Sequence, residues 1–120
     1  YFHGATFTQD ASFCRTTFTE YARFSGAKFT KDANFSGAKF TRSVNFSKAI
    51  FVHKPMFGKT EGPNLANPAK FSYKANPQNY NFEVSHDSPY KIETREQEHN
   101  GVKFIIPEDT MLFDPDNPFA

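Results

Sequence analysis

Four histidines, one cysteine and two pairs of acids are the residues whose chemistry could support catalysis or metal binding in this 120-residue chain. The histidines have no second His or Cys at ligand spacing, whereas closely spaced His and Cys pairs are typical of zinc sites. They are His3, His53, His86 and His99. The sequence therefore predicts no metal site and no cofactor.

The cysteine and the acids are equally isolated. Cys14 has no histidine obviously placed to activate it as a nucleophile. Solvated loop positions explain the pairs Glu96/Glu98 and Glu108/Asp109 at least as well as general acid–base catalysis does. We therefore expect no catalytic residues and expect that the chain is not an enzyme. The alternative is an active site outside this sequence or at a subunit boundary.

Phenylalanines dominate the elements that would have to position any site. Eleven of them, in the first half of the chain, are separated alternately by 5 and 6 residues, which makes an internal repeat of 11. A short fixed period predicts a stacked solenoid. The residues are Phe2, Phe7, Phe13, Phe18, Phe24, Phe29, Phe35, Phe40, Phe46, Phe51 and Phe57.

The composition of the repeat favours strands over a helix. An 11-residue apolar period also occurs in right-handed coiled coils, but Phe, Thr, Ser, Asn and Gly are mediocre or poor helix formers. A small residue precedes many of the phenylalanines by two positions, as in Ala27/Phe29 and Ala33/Phe35. Residues two apart share a face on a strand. Each such pair therefore predicts a short inward-facing strand, with corners at stretches such as Ser36-Gly37.

The units Ala27-Lys28-Phe29-Thr30 and Ala33-Asn34-Phe35-Ser36-Gly37 resemble the pentapeptide-repeat family in its phenylalanine-centred variant. The resemblance covers residues 1–60 and implies an all-β fold, a right-handed quadrilateral β-helix. With four sides to a turn, one coil takes 22 residues, and the phenylalanines form four stacked columns. We expect ten of them to be the structural core: Phe7, Phe13, Phe18, Phe24, Phe29, Phe35, Phe40, Phe46, Phe51 and Phe57.

The second half of the chain departs from this pattern. We interpret residues 61–84 as a looped insertion followed by a degenerate last coil, in which Ala69-Lys70-Phe71, Ala75-Asn76-Pro77 and Tyr80-Asn81-Phe82 form the sides. In residues 85–120, the pair Asn100-Gly101 between two alternating runs predicts a β-hairpin. A proline-punctuated, extended tail follows the hairpin.

Charge is distributed unevenly over a chain whose net charge is only +1. Residues 1–60 carry nine Lys or Arg against three acids, and residues 61–120 carry five against ten. The acidic half can pack against the basic coil, or the coil can present a basic face to an anionic partner. That face would use Lys28, Lys31, Lys39, Arg42, Lys48 and Lys54.

These features together predict a structural or protein-interaction subunit within a larger assembly, which we expect to be large and which could be membrane-bound. The apolar tail either folds back on the coil or docks into a partner subunit. The candidate docking residues are Phe104, Ile106, Met111, Leu112, Phe113 and Phe119. Open coil ends also offer unpaired strands for association between copies.

Two other functions are less well supported by the sequence. Binding of nucleic acid or anionic lipid through the basic face is the first alternative, although the inward-facing phenylalanines leave no aromatic platform for bases. The second alternative comes from the family resemblance: some pentapeptide-repeat proteins imitate duplex DNA and bind topoisomerases. Those proteins are long and acidic, whereas this coil is short and basic.

The sequence constrains localisation weakly. No apolar stretch approaches the length of a membrane span, and we identify no secretory leader in the visible chain. The sequence opens at Tyr1, inside a repeat, which is compatible with processing or with a longer parent chain.

Overall fold

The computed structural model describes residues 2–61 and 64–117, with the side chains of 59–61 and 64–66 left undescribed. The predicted docking residue Phe119 lies outside these ranges. The described residues form short strands and one 3₁₀ turn, Pro77–Asn79, and no α-helix.

The first part of the chain contains nine two-residue strands. They are β1 (Thr6–Phe7), β2 (Ala11–Ser12), β3 (Thr17–Phe18), β4 (Ala22–Arg23), β5 (Lys28–Phe29), β6 (Ala33–Asn34), β7 (Lys39–Phe40), β8 (Val44–Asn45) and β9 (Ile50–Phe51). The second part adds β10 (Lys59–Glu61), β11 (Asn64–Ala66), β12 (Lys70–Ser72), β13 (Thr94–His99), β14 (Val102–Pro107) and β15 (Met111–Phe113).

Parallel pairing stacks these strands into four sides of a coil. The first side contains β1, β5 and β9; the second, β2 and β6; the third, β3, β7, β12 and β15; and the fourth, β4 and β8. Single bridges extend the second side to Met56 and the fourth side to Asn81. Partners in successive coils, such as Phe7 and Phe29, are 22 residues apart, as the repeat predicts.

Stacked phenylalanine rings form the core inside the coil. Along the first side, the ring centroids of Phe7 and Phe29 are 4.7 Å apart and those of Phe29 and Phe51 are 4.9 Å apart. Both pairs are nearly parallel, and their spacing equals the distance between neighbouring strands. Each fully buried ring contributes about 1.5–3 kcal/mol of burial energy before chain entropy is subtracted.

The ten predicted core residues differ in burial according to their coil. Seven are buried: Phe24, Phe29, Phe35, Phe40, Phe46, Phe51 and Phe57. The other three, Phe7, Phe13 and Phe18, are only half-buried because the next coil covers one face of each ring and no described residue covers the other.

Two kinds of corner explain why spacings of 5 and 6 alternate. Each five-residue spacing contains a tight turn in which an N–H donates to the carbonyl of the phenylalanine three residues earlier, as Ala38 donates to Phe35 at 3.0 Å. The residue before the donor has a positive φ, 72° at Gly37, which is the geometry of a type II turn. The six-residue corners have no positive φ and are wider. The alternation in sequence is therefore an alternation of corner geometry.

An insertion interrupts the third coil between its second and third sides. Strands β10 and β11 pair antiparallel within it, and β12 then resumes the lattice with Phe71 beside Phe40. The Phe71 ring lies 4.9 Å from that of Phe40. The predicted side at Ala75-Asn76-Pro77 does not form, because Pro77 starts the 3₁₀ turn instead. The fourth side resumes at Asn81.

The C-terminal residues cover the last coil. Strands β13 and β14 pair antiparallel across Asn100 and Gly101, both with positive φ. Strand β15 then adds to the third side by pairing with β12, so that Leu112 lies beside Phe71. This arrangement buries Phe104, Ile106 and Phe113 within the chain itself.

Candidate interaction surfaces

The chemically reactive residues remain dispersed in the folded chain. The Nδ1 of His3 lies 2.7 Å from the hydroxyl oxygen of Ser25. The ring of His99 stacks on that of Tyr73 with centroids 3.7 Å apart. Cys14 is exposed. Among residues 2–61 and 64–117, no group of three His, Cys, Asp or Glu side chains could hold a metal ion.

One groove does bring together residues that are distant in sequence. His53 and the acid pair Glu108/Asp109 line a cavity of about 480 Å³ beside the second side of the coil. Lys54 and Lys91 line the same cavity. This mixture of charges resembles an ordinary polar junction between the coil and the C-terminal segment, and it contains no nucleophile paired with a base.

The six predicted polyanion-binding residues do not share one face. Lys28 lies on the first side, and Lys39 lies on the third, which is the opposite side of a four-sided coil. The others lie at three different corners: Lys31 and Lys54 between the first and second sides, Arg42 between the third and fourth, and Lys48 between the fourth and first. The prediction of a single basic face is therefore wrong, since the period distributes these positions around the coil.

A smaller basic groove does form at the corner that leads into the third side. Arg15, Lys39 and Lys70 line it, together with Thr17, Gly37, Asn67 and Pro68, around about 450 Å³. Lys39 and Lys70 are direct neighbours on adjacent strands. The lining residues include three cations and no carboxylate. Only Lys39 belongs to the set expected from sequence, because Lys70 joins this corner only after the insertion.

The predicted docking residues of the tail mostly face inward. Phe104, Ile106 and Phe113 are buried, and Leu112 is half-buried. Met111 is 40% exposed on the outer face of β15. Of the two alternatives for the tail, the structure has its described residues folded on the coil, so the buried three are unavailable to a partner in this conformation.

An exposed apolar row lies on the first side of the coil. Val52 donates its N–H to Phe29 O at 3.1 Å, and Tyr90 donates its N–H to Phe51 O at 3.3 Å. Tyr90 therefore continues the outward row that contains Val52, one strand further along. Their exposed fractions are 37% and 45%, and the half-buried Ile50 lies beside them. This row could not be predicted from the sequence, because Tyr90 lies 38 positions beyond Val52, outside the 22-residue register.

A second groove lies where the fourth side ends, beneath the hairpin. Its volume is about 710 Å³. Segment 80–84 forms its floor, and Ile92, Thr94 and Ile105 form the opposite wall. Ile105 is 50% exposed. The sequence predicted Tyr80-Asn81-Phe82 as a side of the coil, but it did not predict any residue of this groove as a partner-binding residue.

The stacked four-sided coil defines a β-solenoid, with strands parallel from coil to coil. A family model described as Pentapeptide repeats (9 copies) matches residues 1–39 and 15–60, which together make up half of the chain. The chain belongs to the pentapeptide-repeat family. No curated protein and no solved structure matches it. No helix in the described residues is long and apolar enough to cross a membrane.

Proposed function

We propose that the protein is a non-enzymatic interaction subunit, a rigid β-helix that presents its flat sides to partner proteins in a larger assembly. We infer a right-handed coil, because crossovers between parallel strands are right-handed in about 98% of known cases. The hairpin and β15 cap this coil. Family membership supports a structural or interaction role in general terms.

The exposed row of Val52 and Tyr90 is the observation that carries the proposal. Their backbone is held by the same ladder that stacks the core, so the two side chains are displayed with little freedom to lose on binding. Tyrosine and other large apolar residues are enriched at the centres of protein interfaces. Thr30, one strand earlier in the row, donates its hydroxyl to Phe7 O at 2.8 Å.

Native mass spectrometry of the tagged chain, isolated gently from cells that express it, tests the proposal. We expect a particle much heavier than the 13.7 kDa chain. The double variant Val52→Asp/Tyr90→Asp should release the partner. The matched control is Val102→Asp, which adds a charge at a position 43% exposed on the hairpin. A free monomer, or equal loss of partner in both variants, would contradict the proposal.

A second candidate function is the binding of a linear polyanion by Arg15, Lys39 and Lys70. The convergence of three cations in one groove without a carboxylate favours it. Affinity for inorganic polyphosphate should then fall steeply with added salt. Lys70→Gln should weaken binding, and Lys28→Gln, on the opposite side, should not. Salt-independent binding, or an equal effect of both changes, would argue against this function.

A further inference from the structure

The ladder of the fourth side ends at an open edge. In lower coils, each phenylalanine N–H of this side donates to the next coil: Phe24 to Asn45 O at 2.7 Å, and Phe46 to Asn81 O at 2.8 Å. Phe82 is the next phenylalanine of this side. Its N–H has no hydrogen-bond partner within the described residues.

Two further backbone groups are left in the same situation. Two residues further along the rung, Lys48 N–H donates to Glu83 O at 3.2 Å, and Val84 takes the place of Lys48 in the last rung. The carbonyl of Val44 accepts from Asn81 N–H at 3.0 Å, and Tyr80 takes the place of Val44. Neither Val84 N–H nor Tyr80 C=O has a partner in the described part of the chain.

The three residues that carry these groups lie along the groove beneath the hairpin. Tyr80, Phe82 and Val84 all line it. The wall opposite is apolar at Ile92 and Ile105, and the groove volume of about 710 Å³ falls in the range of ligand-binding clefts. The floor therefore offers one acceptor and two donors along a single extended segment, above a buried aromatic ring.

The third side shows how this molecule completes such an edge. Strand β15 is distant in sequence from β12, yet it pairs with β12 in parallel and covers the end of that side. Met111 N–H donates to Ala69 O, and Tyr73 N–H donates to Phe113 O, each at 3.2 Å. The side chain of Leu112 lies over Phe71. The fourth side has no equivalent strand among the described residues.

We propose that the groove accepts an extended segment of a partner protein as the next strand of the fourth side. The segment lies parallel to residues 80–84, accepts hydrogen bonds from Phe82 and Val84, and donates one to Tyr80. Because the Phe82 ring is already buried, an apolar side chain of the segment packs against Ile92 and Ile105 instead. Strand addition uses a row of unpaired backbone acceptors and donors that is continuous with an existing ladder, as here. The inference rests on the proposed interaction role and specifies its ligand.

A synthetic peptide with the sequence of residues 42–48, Arg-Ser-Val-Asn-Phe-Ser-Lys, is the probe, because within the chain this segment already pairs in parallel with the rung below it, β4, through the edge that would face the groove. Calorimetric titration of the whole chain should give saturable binding. In the same complex, amide hydrogen exchange at Phe82 and Val84 should slow at least tenfold. Amides of the first coil should be unaffected.

N-methylated peptides are the matched controls. In the expected register, the peptide N–H at the Asn45 position donates to Tyr80 O, and the N–H at the Phe46 position points away from the floor. Methylation at the Asn45 position should weaken binding at least tenfold, while methylation at the Phe46 position should change it less than twofold. On the protein, Ile105→Asp should weaken binding about tenfold, and Val102→Asp, outside the groove, should leave it unchanged.

Three results would overturn the inference: no saturable binding, equal weakening by both methylated peptides, or protection confined to amides other than Phe82 and Val84. The peptide titration uses the purified chain alone. If it fails while Val52→Asp/Tyr90→Asp still releases a natural partner, only the groove is refuted. If the peptide binds and no assembly is found, strand recognition remains and the assembly role fails.

Discussion

Removing one ring from the middle of a phenylalanine column should destabilise the protein far more than removing one from its end. Phe35 stacks between Phe13 and Phe57 at 5.1 and 5.3 Å and is fully buried. Phe35→Ala deletes a ring that touches others on every side, and such substitutions cost about 3–5 kcal/mol. Phe13→Ala removes a half-buried ring of the same column, and we expect roughly half that loss.

The free energy of unfolding from urea titration, followed by circular dichroism, is the measurement. For a domain of this size, the expected change at Phe35 corresponds to a fall in Tm of roughly 10–20 °C. Phe35→Leu, which keeps an apolar side chain, is the control and should recover more than half of the loss. Equal destabilisation by Phe35→Ala and Phe13→Ala, or a loss under about 1 kcal/mol at Phe35, would refute the stacked-core explanation.

Three further changes test the corners and a buried hydroxyl. Gly37→Ala should cost about 2 kcal/mol in thermal unfolding, because φ is 72° and the new Cβ would lie 3.1 Å from the Arg15 Cγ; Gly101→Ala, with φ 79° and open space, should cost only about 1 kcal/mol. Arg15→Gly should raise the unfolding free energy by about 1 kcal/mol, since Arg15 adopts φ 58°; no gain would contradict the strain argument. Burial raises the pKa of Tyr80. An unfolded tyrosine ionises near pH 10, so stability should hold below that pH and fall above it. Tyr80→Phe should lose about 1 kcal/mol at pH 7 through its bond to Ser72 O and show a shallower alkaline decline. The measurement is the free energy of unfolding in urea between pH 9 and 11. If it falls as steeply with pH in Tyr80→Phe as in the unsubstituted chain, this role is excluded.

The coil could be predicted from sequence because its information is local and repeated. Each phenylalanine with its preceding small residue specifies one strand, and the constant register of 22 then fixes every neighbour. Even after the insertion, Phe71 returns to its column as the third stacked ring of the third side, next to Phe40. The class of fold therefore follows from spacing alone.

The surfaces could not be predicted because they depend on pairings without a repeat. Tyr90 joins the row of Val52, and β15 joins β12, through contacts between segments that share no motif. The basic groove requires Lys70 to return beside Lys39 after an insertion of unpredictable length. Pro77 was expected in a side, but its missing N–H favours the first turn of a 3₁₀ helix, capped by the Asn76 side chain.

The two kinds of corner set the increments by which this protein can change length. A deletion of 22 residues removes one whole turn, with two corners of each kind, and returns every remaining strand to its own side. A deletion of 11 also preserves the alternation of corners, yet it rotates everything downstream by half a turn. The capping strand β15 would then stack on the opposite side of the coil and cover the phenylalanine column of that side. Tyr90 would likewise extend a different outward row. Of the deletions that preserve the alternation of corners, only those of whole turns keep each outward surface on the same side of the coil relative to the C-terminal cap.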